Sequence, residues 1–318
     1  MSKPHLITAF ILAALSSAFM STGMIVNSLL EGQGMSWTWT ASLRFLLLLP
    51  MLVGVVASRK RLLPLLAALR SLPLAFLLWG NLGFGGFYTL LVCATHFLPA
   101  WLVTAAFMTT ILTGLLLAPL IYRDHRAVVP RRALALALGL LACLALMEFD
   151  QLQHMHYSWW AVIGLLLAFL AAVLWPLCNR MLLLRLEARR LKLDPLQRSL
   201  GMTLGSLPVL ITLAVYAYVQ SGLPGKVQLA GSLSAAFFAG LIGCVLFFKA
   251  LNLTQRQPMA MAAVEAMQVL VIFFTLLGES LVRQLRPPGP WALAGMTGVL
   301  LTLATYIQQT FKTTPELS

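Results

Sequence analysis

Residues 258–281 read PMAMAAVEAMQVLVIFFTLLGESL. A helix of this length rises roughly 36 Å at about 1.5 Å per residue, enough to cross a hydrocarbon core of about 30 Å. The run is apolar except for Glu265, Gln268, Thr275 and the closing Gly278-Glu279-Ser280. A glutamate inside such a run is costly, so it needs a partner, a wet cavity or a task.

The same character extends along the whole chain. Of 318 residues, 60% are hydrophobic and 10% charged. A soluble domain of this size needs far more charge, so the bilayer is the solvent that fits. Candidate spans lie near 6–30, 37–58, 73–95, 99–121, 132–149, 158–184, 199–220, 230–253, 258–282 and 290–311, joined by short connections. The expected fold class is an all-α membrane protein of ten transmembrane helices. Lys3 and the apolar run from Leu6 resemble a signal peptide, but no A-x-A site follows. We read this segment as an uncleaved first helix.

The net charge of +13 comes in short basic runs such as Arg59-Lys60-Arg61 and Arg189-Arg190. No soluble module remains to hold nucleic acid, so that class is excluded. With the N-terminus inside, most Lys and Arg fall on the cytoplasmic side, while the outer connections hold only Lys226, Arg283 and Arg286. That asymmetry predicts a multi-pass inner-membrane protein with both termini cytoplasmic. Trp37, Trp39, Trp101, Trp159, Trp160 and Trp291 fall at the expected outer ends, where interfacial tryptophans belong. Cys93, Cys143, Cys178 and Cys244 lie singly in apolar stretches and read as small buried hydrophobes.

A shift of 159 positions carries Pro99 of the fourth stretch onto Pro258 of the ninth, and Met108 onto Met267. It also carries Ala9-Phe10 onto Ala168-Phe169, and Ala133-Leu134-Ala135 onto Ala292-Leu293-Ala294. One constant offset therefore relates the first and sixth, fourth and ninth, and fifth and tenth stretches. Five helices per half is an odd number, so the second half enters the membrane the other way up. The expectation is two inverted five-helix repeats, 1–150 and 151–318, a plan shared by transporters that open a central site to each side in turn.

Five short helices repeated in inverted order resemble the drug/metabolite transporter superfamily. Gly278-Glu279 is similar to the Gly-Glu that closes the corresponding helix in EamA-type members. More narrowly, WTWTASLRF (37–45), LLWGNLGFGGFY (77–88), LWPLCNR (174–180), QRSLGMTLGSLP (197–208), LFFKALNL (246–253) and AAVEAMQ (262–268) resemble signature blocks of the putative multidrug resistance efflux transporter family. The resemblance implies export of small organic solutes or metabolites. Two features depart from it. The first half has Ala118-Pro119-Leu120 where the Gly-Glu would stand, and the first stretch has no acidic residue. The proton/drug exchange of small four-helix relatives, which uses a first-helix glutamate, does not transfer to that helix.

Ionisable groups within the spans are the candidates for transport, since each costs about 2.5–3.5 kcal/mol to insert. Glu265 suits proton coupling or recognition of a cationic solute. It also suits a structural pair with Lys249 across the tight connection between the eighth and ninth stretches. Arg44 is expected either to face a cavity and bind an anionic group, or to bond backbone carbonyls. Lys249 and Arg180 lie near the cytoplasmic surface, where snorkelling competes with gating. Asn179 and Arg180 follow Trp175-Pro176, and the proline is expected to interrupt the sixth helix. Trp79, Asn81 and Tyr88 share the third stretch with four glycines and read as an aromatic wall with a polar handle, or as simple packing. Gln268, three residues past Glu265, extends that site. Gly201 and Gly205 read as a packing motif.

His154 and His156 near Glu148 and Asp150 make a weak metal candidate, read as solvated loop residues, and no catalytic constellation is present. The sequence therefore reads as a non-enzymatic secondary transporter with no cofactor. Its expected partners are a small organic solute, the lipid bilayer and, as a candidate coupling ion, the proton, with the chain acting as monomer or homodimer. A lipid flippase and a metabolite importer of the same fold are the alternatives.

Overall fold

Hydrocarbon offers no hydrogen bonds, so a chain this apolar must satisfy its backbone internally. In a computed structural model describing residues 3–123, 127, 129, 131–154, 159–254, 258–283 and 289–313, the described residues are helical, without strands. The order is α1 (Lys3–Gly32), α2 (Trp37–Ser58), α3 (Leu62–Ser71), α4 (Pro73–Thr95), α5 (Ala100–Ile121) and α6 (Arg131–His154). Then come α7 (Trp159–Ala188), α8 (Pro195–Gly205), α9 (Leu207–Ser221), α10 (Lys226–Thr254), α11 (Met259–Val282) and α12 (Pro290–Thr313).

Each of the ten expected stretches coincides with a helix. Among the described residues eight helices have the length and apolarity of a span, and counting α8 with α9, bent by 50°, as one span brings the number up to nine. In α6 the apolar part, Leu134–Met147, is shorter. The connection after α2 also contains α3, where the sequence suggested only a loop.

The helices interlock crosswise. α1 lies on α10 and α11: Ser16 Oγ donates to Gly243 O at 2.8 Å, and Ser17 Oγ to Met267 O at 3.0 Å. α7 lies on α4 and α5, where a Cβ on Gly83 would come 2.5 Å from Cys178 Cβ. α6 runs antiparallel to α12: a Cβ on Gly295 would lie 2.5 Å from Cys143 O, and Gly139 faces Thr302. Without a hydrophobic drive between helices in lipid, such small-residue contacts hold the bundle together.

α7 stays helical through Pro176. The proline cannot donate to Ala172 O, and Thr113 Oγ1 of α5 donates there instead, at 2.7 Å. The break falls at Ser206, where Pro208 opens α9. Asn81 Oδ1 accepts the Val209 N–H there at 3.2 Å, while Asn81 Nδ2 donates to Leu77 O at 2.9 Å.

α2 and the α8–α9 pair are fastened at both ends. At one end Gln197 Nε2 donates to Arg61 O at 2.8 Å, and Arg61 pairs with Asp194 at 2.7 Å. Asp194 also opens α8 through a capping box with Gln197. At the other end Trp39 Nε1 donates to Gly222 O just past α9, at 3.1 Å, and α10 joins there as Gln228 Nε2 donates to Ser36 O at 2.9 Å. Trp39 and Trp101 are therefore buried residues, not interfacial anchors, whereas Trp159, Trp160 and Trp291 are exposed.

α11 carries a second carboxylate, Glu279, which in the sequence marks only the end of a span. It is 1% exposed. It accepts the Trp101 N–H at 2.8 Å, the Ala100 N–H at 3.2 Å and the Ser28 hydroxyl. The Pro99 N-cap of α5 makes no side-chain cap bond, so Glu279 supplies one at this helix N-terminus. Gly278 bears on the Gly-Glu pair: a Cβ there would strike the Ile25 side chain of α1, which would have to shift.

Glu279→Gln replaces one accepting oxygen by a donor facing backbone N–H groups. It should cost on the order of 1–3 kcal/mol, read as a lower melting temperature of the purified protein in detergent. A wild-type melting temperature would refute the cap. Gly205→Ala should also melt earlier, because a Cβ there strikes Phe76 O. Its expected cost is about 1–3 kcal/mol. Gly54 has open space around it, so Gly54→Ala should not lower the melting temperature.

Candidate functional site

The interlocked helices leave a cavity of about 170 Å³ in the bundle. Both halves line it: Met20, Arg44, Phe84, Phe87, Tyr88 and Phe107 come from the first, and Trp175, Ser199, Gly240, Cys244 and Gln268 from the second.

Its wall is aromatic. Phe84 stacks on Trp175 at 5.7 Å, and Phe87 lies 4.7 Å from Trp175 and 5.6 Å from Phe107. Phe45 touches both Phe84, at 5.4 Å, and Tyr88, at 5.3 Å. Burial of rings in such offset and edge contacts makes a stiff apolar surface.

Arg44 is the only charged side chain among the described residues lining the cavity. Its guanidinium carbon lies 4.4 Å from the Tyr88 ring centre, a cation–π contact. Tyr88 is itself held by its hydroxyl, which donates to Asn27 Oδ1 at 2.9 Å. Arg44 Nε is buried without a hydrogen bond, and so is Gln268 Nε2.

Of the residues singled out in the sequence, Arg44, Tyr88, Trp175 and Gln268 meet at this cavity. Trp79 packs against the hydrophobic core, and Asn81 caps the α8–α9 bend. Asn179 Nδ2 donates to Trp175 O within its own helix, at 2.8 Å. The wall is thus made by Phe84 and Phe87 with Tyr88, not by Trp79. A regular helix would group Trp79, Gly83 and Gly86. Residues 81–86 instead form wide π-helical turns, with the Phe87 N–H reaching the Leu82 carbonyl, and this rotates the following residues to a different face. Phe45, Phe84, Phe87 and Phe107 carried no sequence signal apart from sitting beside Arg44, the FGGFY run and Met108.

A second charged group lies on the same helices. Glu265 is an exposed residue within the α11 span. The opposing charge acting on it is Arg180, and Tyr306 of α12 also feels its field. Arg180 reaches across to donate to Gly114 O of α5 and lies 5.9 Å over the Tyr122 ring. Lys249 is exposed and forms no ion pair with Glu265, which corrects the expected Lys249–Glu265 pair. The two residues are close in the chain, but Lys249 points away from the bundle. Among the described residues no cluster of His, Cys, Asp or Glu could hold a metal. The His154 side chain and His156 lie outside the described residues.

Residues 7–312 match the family described as "Putative multidrug resistance efflux transporter" (EmrE). The uncharacterized protein YjlA of Bacillus subtilis (strain 168) is 34% identical, over 96% of this chain and 95% of its own. An uncharacterized 42.1 kDa protein from the intracellular alkaline protease 3' region of Shouchella clausii is 32% identical, over 81% of this chain and 68% of its own. A solved crystal structure superposes on 98% of this chain and 99% of its own with a TM-score of 0.64 and 13% identity, a likeness of fold alone. The chain belongs to the putative multidrug resistance efflux transporter family of the drug/metabolite transporter superfamily, and is a multi-pass membrane transporter rather than an enzyme.

Proposed function

We propose that the chain is a secondary transporter that exports small organic solutes across the cytoplasmic membrane by alternating access. In this reading it has ten spans, α6 included, arranged as two inverted repeats with both termini cytoplasmic. The observation that carries the reading is the cavity lined by both halves.

The 159-residue offset supports it in three dimensions. The π-helical turns at 81–86 have a counterpart at 235–243, and the interruption of α5 after Phe107 has one at Met267–Val269 in α11. α1 against α10 and α11 mirrors α7 against α4 and α5, while α6 with α12 and α2 with α8–α9 are self-paired. Two such halves exchange conformations at little cost, because each can adopt the arrangement of the other.

Arg180 and Glu265 serve in this scheme as a gate or proton-coupling pair, Glu265 being exposed within the α11 span while Arg180 bridges to α5. Ionisable groups so placed mark ion and proton pathways.

The test is flux in proteoliposomes with a panel of cationic, anionic and neutral solutes, with and without a pH gradient. Wild-type protein should move at least one class, faster with the gradient. Glu265→Gln should lose the gradient response and keep some downhill exchange. Unchanged rate and gradient dependence in Glu265→Gln would overturn the coupling role.

A further inference from the structure

The chemistry of the cavity bears on the cargo, and a cargo class inferred from it rests on the proposed transport function. A guanidinium in low-dielectric surroundings needs compensation. Arg44 has no carboxylate partner among the described residues, and its buried Nε makes no hydrogen bond. It is nevertheless held in place. A Cβ on Gly23 of α1 would come 2.6 Å from Arg44 Nη1, so the guanidinium is lodged against bare backbone, and Tyr88 supports it from the ring side. It is kept in the cavity and does not snorkel out of it.

The unmet polarity of the cavity is therefore that of donors around a positive charge. A cationic solute would meet repulsion from Arg44 and no acidic side chain in the lining. The Tyr88 face that would otherwise attract it is taken by Arg44. An anion would complete the site, since a carboxylate accepts two parallel N–H bonds from a guanidinium fork. Beyond Arg44, the Phe84–Trp175 stack and Phe87 offer a flat apolar surface. The size also selects. A cavity of about 150 Å³ accommodates a benzene ring, and this one is about 170 Å³.

We propose that the cavity is a binding site for organic anions of the single-ring aromatic carboxylate class. The carboxylate is held by Arg44 with the Gln268 amide beside it, and the ring lies against Phe84, Phe87 and Trp175.

The full-length protein in detergent should be titrated with benzoate, phenylacetate, benzylammonium and benzyl alcohol, following tryptophan fluorescence and heat. The same probes should then be followed for flux in proteoliposomes. Benzoate or phenylacetate should bind saturably and more tightly than the cation or the alcohol. Arg44→Gln should weaken carboxylate binding about tenfold or more, leaving the alcohol unaffected. Arg44→Lys, which keeps the charge but not the fork, should be intermediate, and Gln268→Leu should weaken binding several-fold. Should Arg44→Gln not fold, Arg44→Lys and Gln268→Leu decide the matter: wild-type carboxylate affinity in both would overturn the inference. Preference for benzylammonium, or no carboxylate binding by the wild type, would also overturn it. Carboxylate binding at Arg44 without flux would uphold the site and refute transport. Flux of cations or neutral solutes alone would uphold transport and refute the site.

Discussion

A helix end or a proline inside hydrocarbon frees backbone groups that no solvent can satisfy, and this constraint organises the bundle. Three such groups are met by side chains from other helices. Glu279 of α11 closes the start of α5, Asn81 of α4 closes the bend before α9, and Thr113 of α5 replaces the donor missing at Pro176 of α7. Each closure also sets where two helices touch. The polar bonds therefore fix the alignment, and the glycines at 278, 205, 83 and 295 set how close the backbones come.

The cavity follows from that arrangement. α1 leans on α10 and α11 while α7 leans on α4 and α5, so the middle of the bundle is enclosed by helices that belong to different halves. The pseudo-symmetry of the scaffold does not extend to its chemistry. Arg44 and the phenylalanines of α4 belong to the first half, and Glu265 and Arg180 to the second. In the proposed scheme, a repeated frame with asymmetric polar groups would let motion be shared between the halves while binding and coupling stay separate. The exposed side chain of Glu265 and the lodged guanidinium of Arg44 are the two expressions of that division.

Helix content, membrane class and family could be read from local sequence because they depend on composition and on period. A bilayer requires about twenty apolar residues per span whatever the neighbours are, and the signature blocks are contiguous. The packing use of Gly201 and Gly205 was legible for the same reason, since small residues one turn apart make a groove on one face. Partner choice was not. Lys249 and Glu265 belong to helices joined by a tight connection but do not pair, and Lys249 is exposed. Trp79 and Tyr88 are nine residues apart, which on a helix already sets them on different faces, and the π-helical turns at 81–86 change the register between them with no marker beyond the glycines of FGGF.

By itself the sequence determined that the chain is helical, lives in a membrane, carries a 159-residue offset and holds ionisable groups in its spans. Those properties are set by local hydropathy, which each segment expresses alone. Only the tertiary structure decided that Glu279 is a cap, that Arg44 has no carboxylate opposite it among the described residues and that phenylalanines rather than Trp79 line the cavity. The reason is that a side chain in a bundle is defined by which helices face it. That is settled by close approach at glycines and by the closing of freed backbone groups, both of which involve residues far apart in the chain.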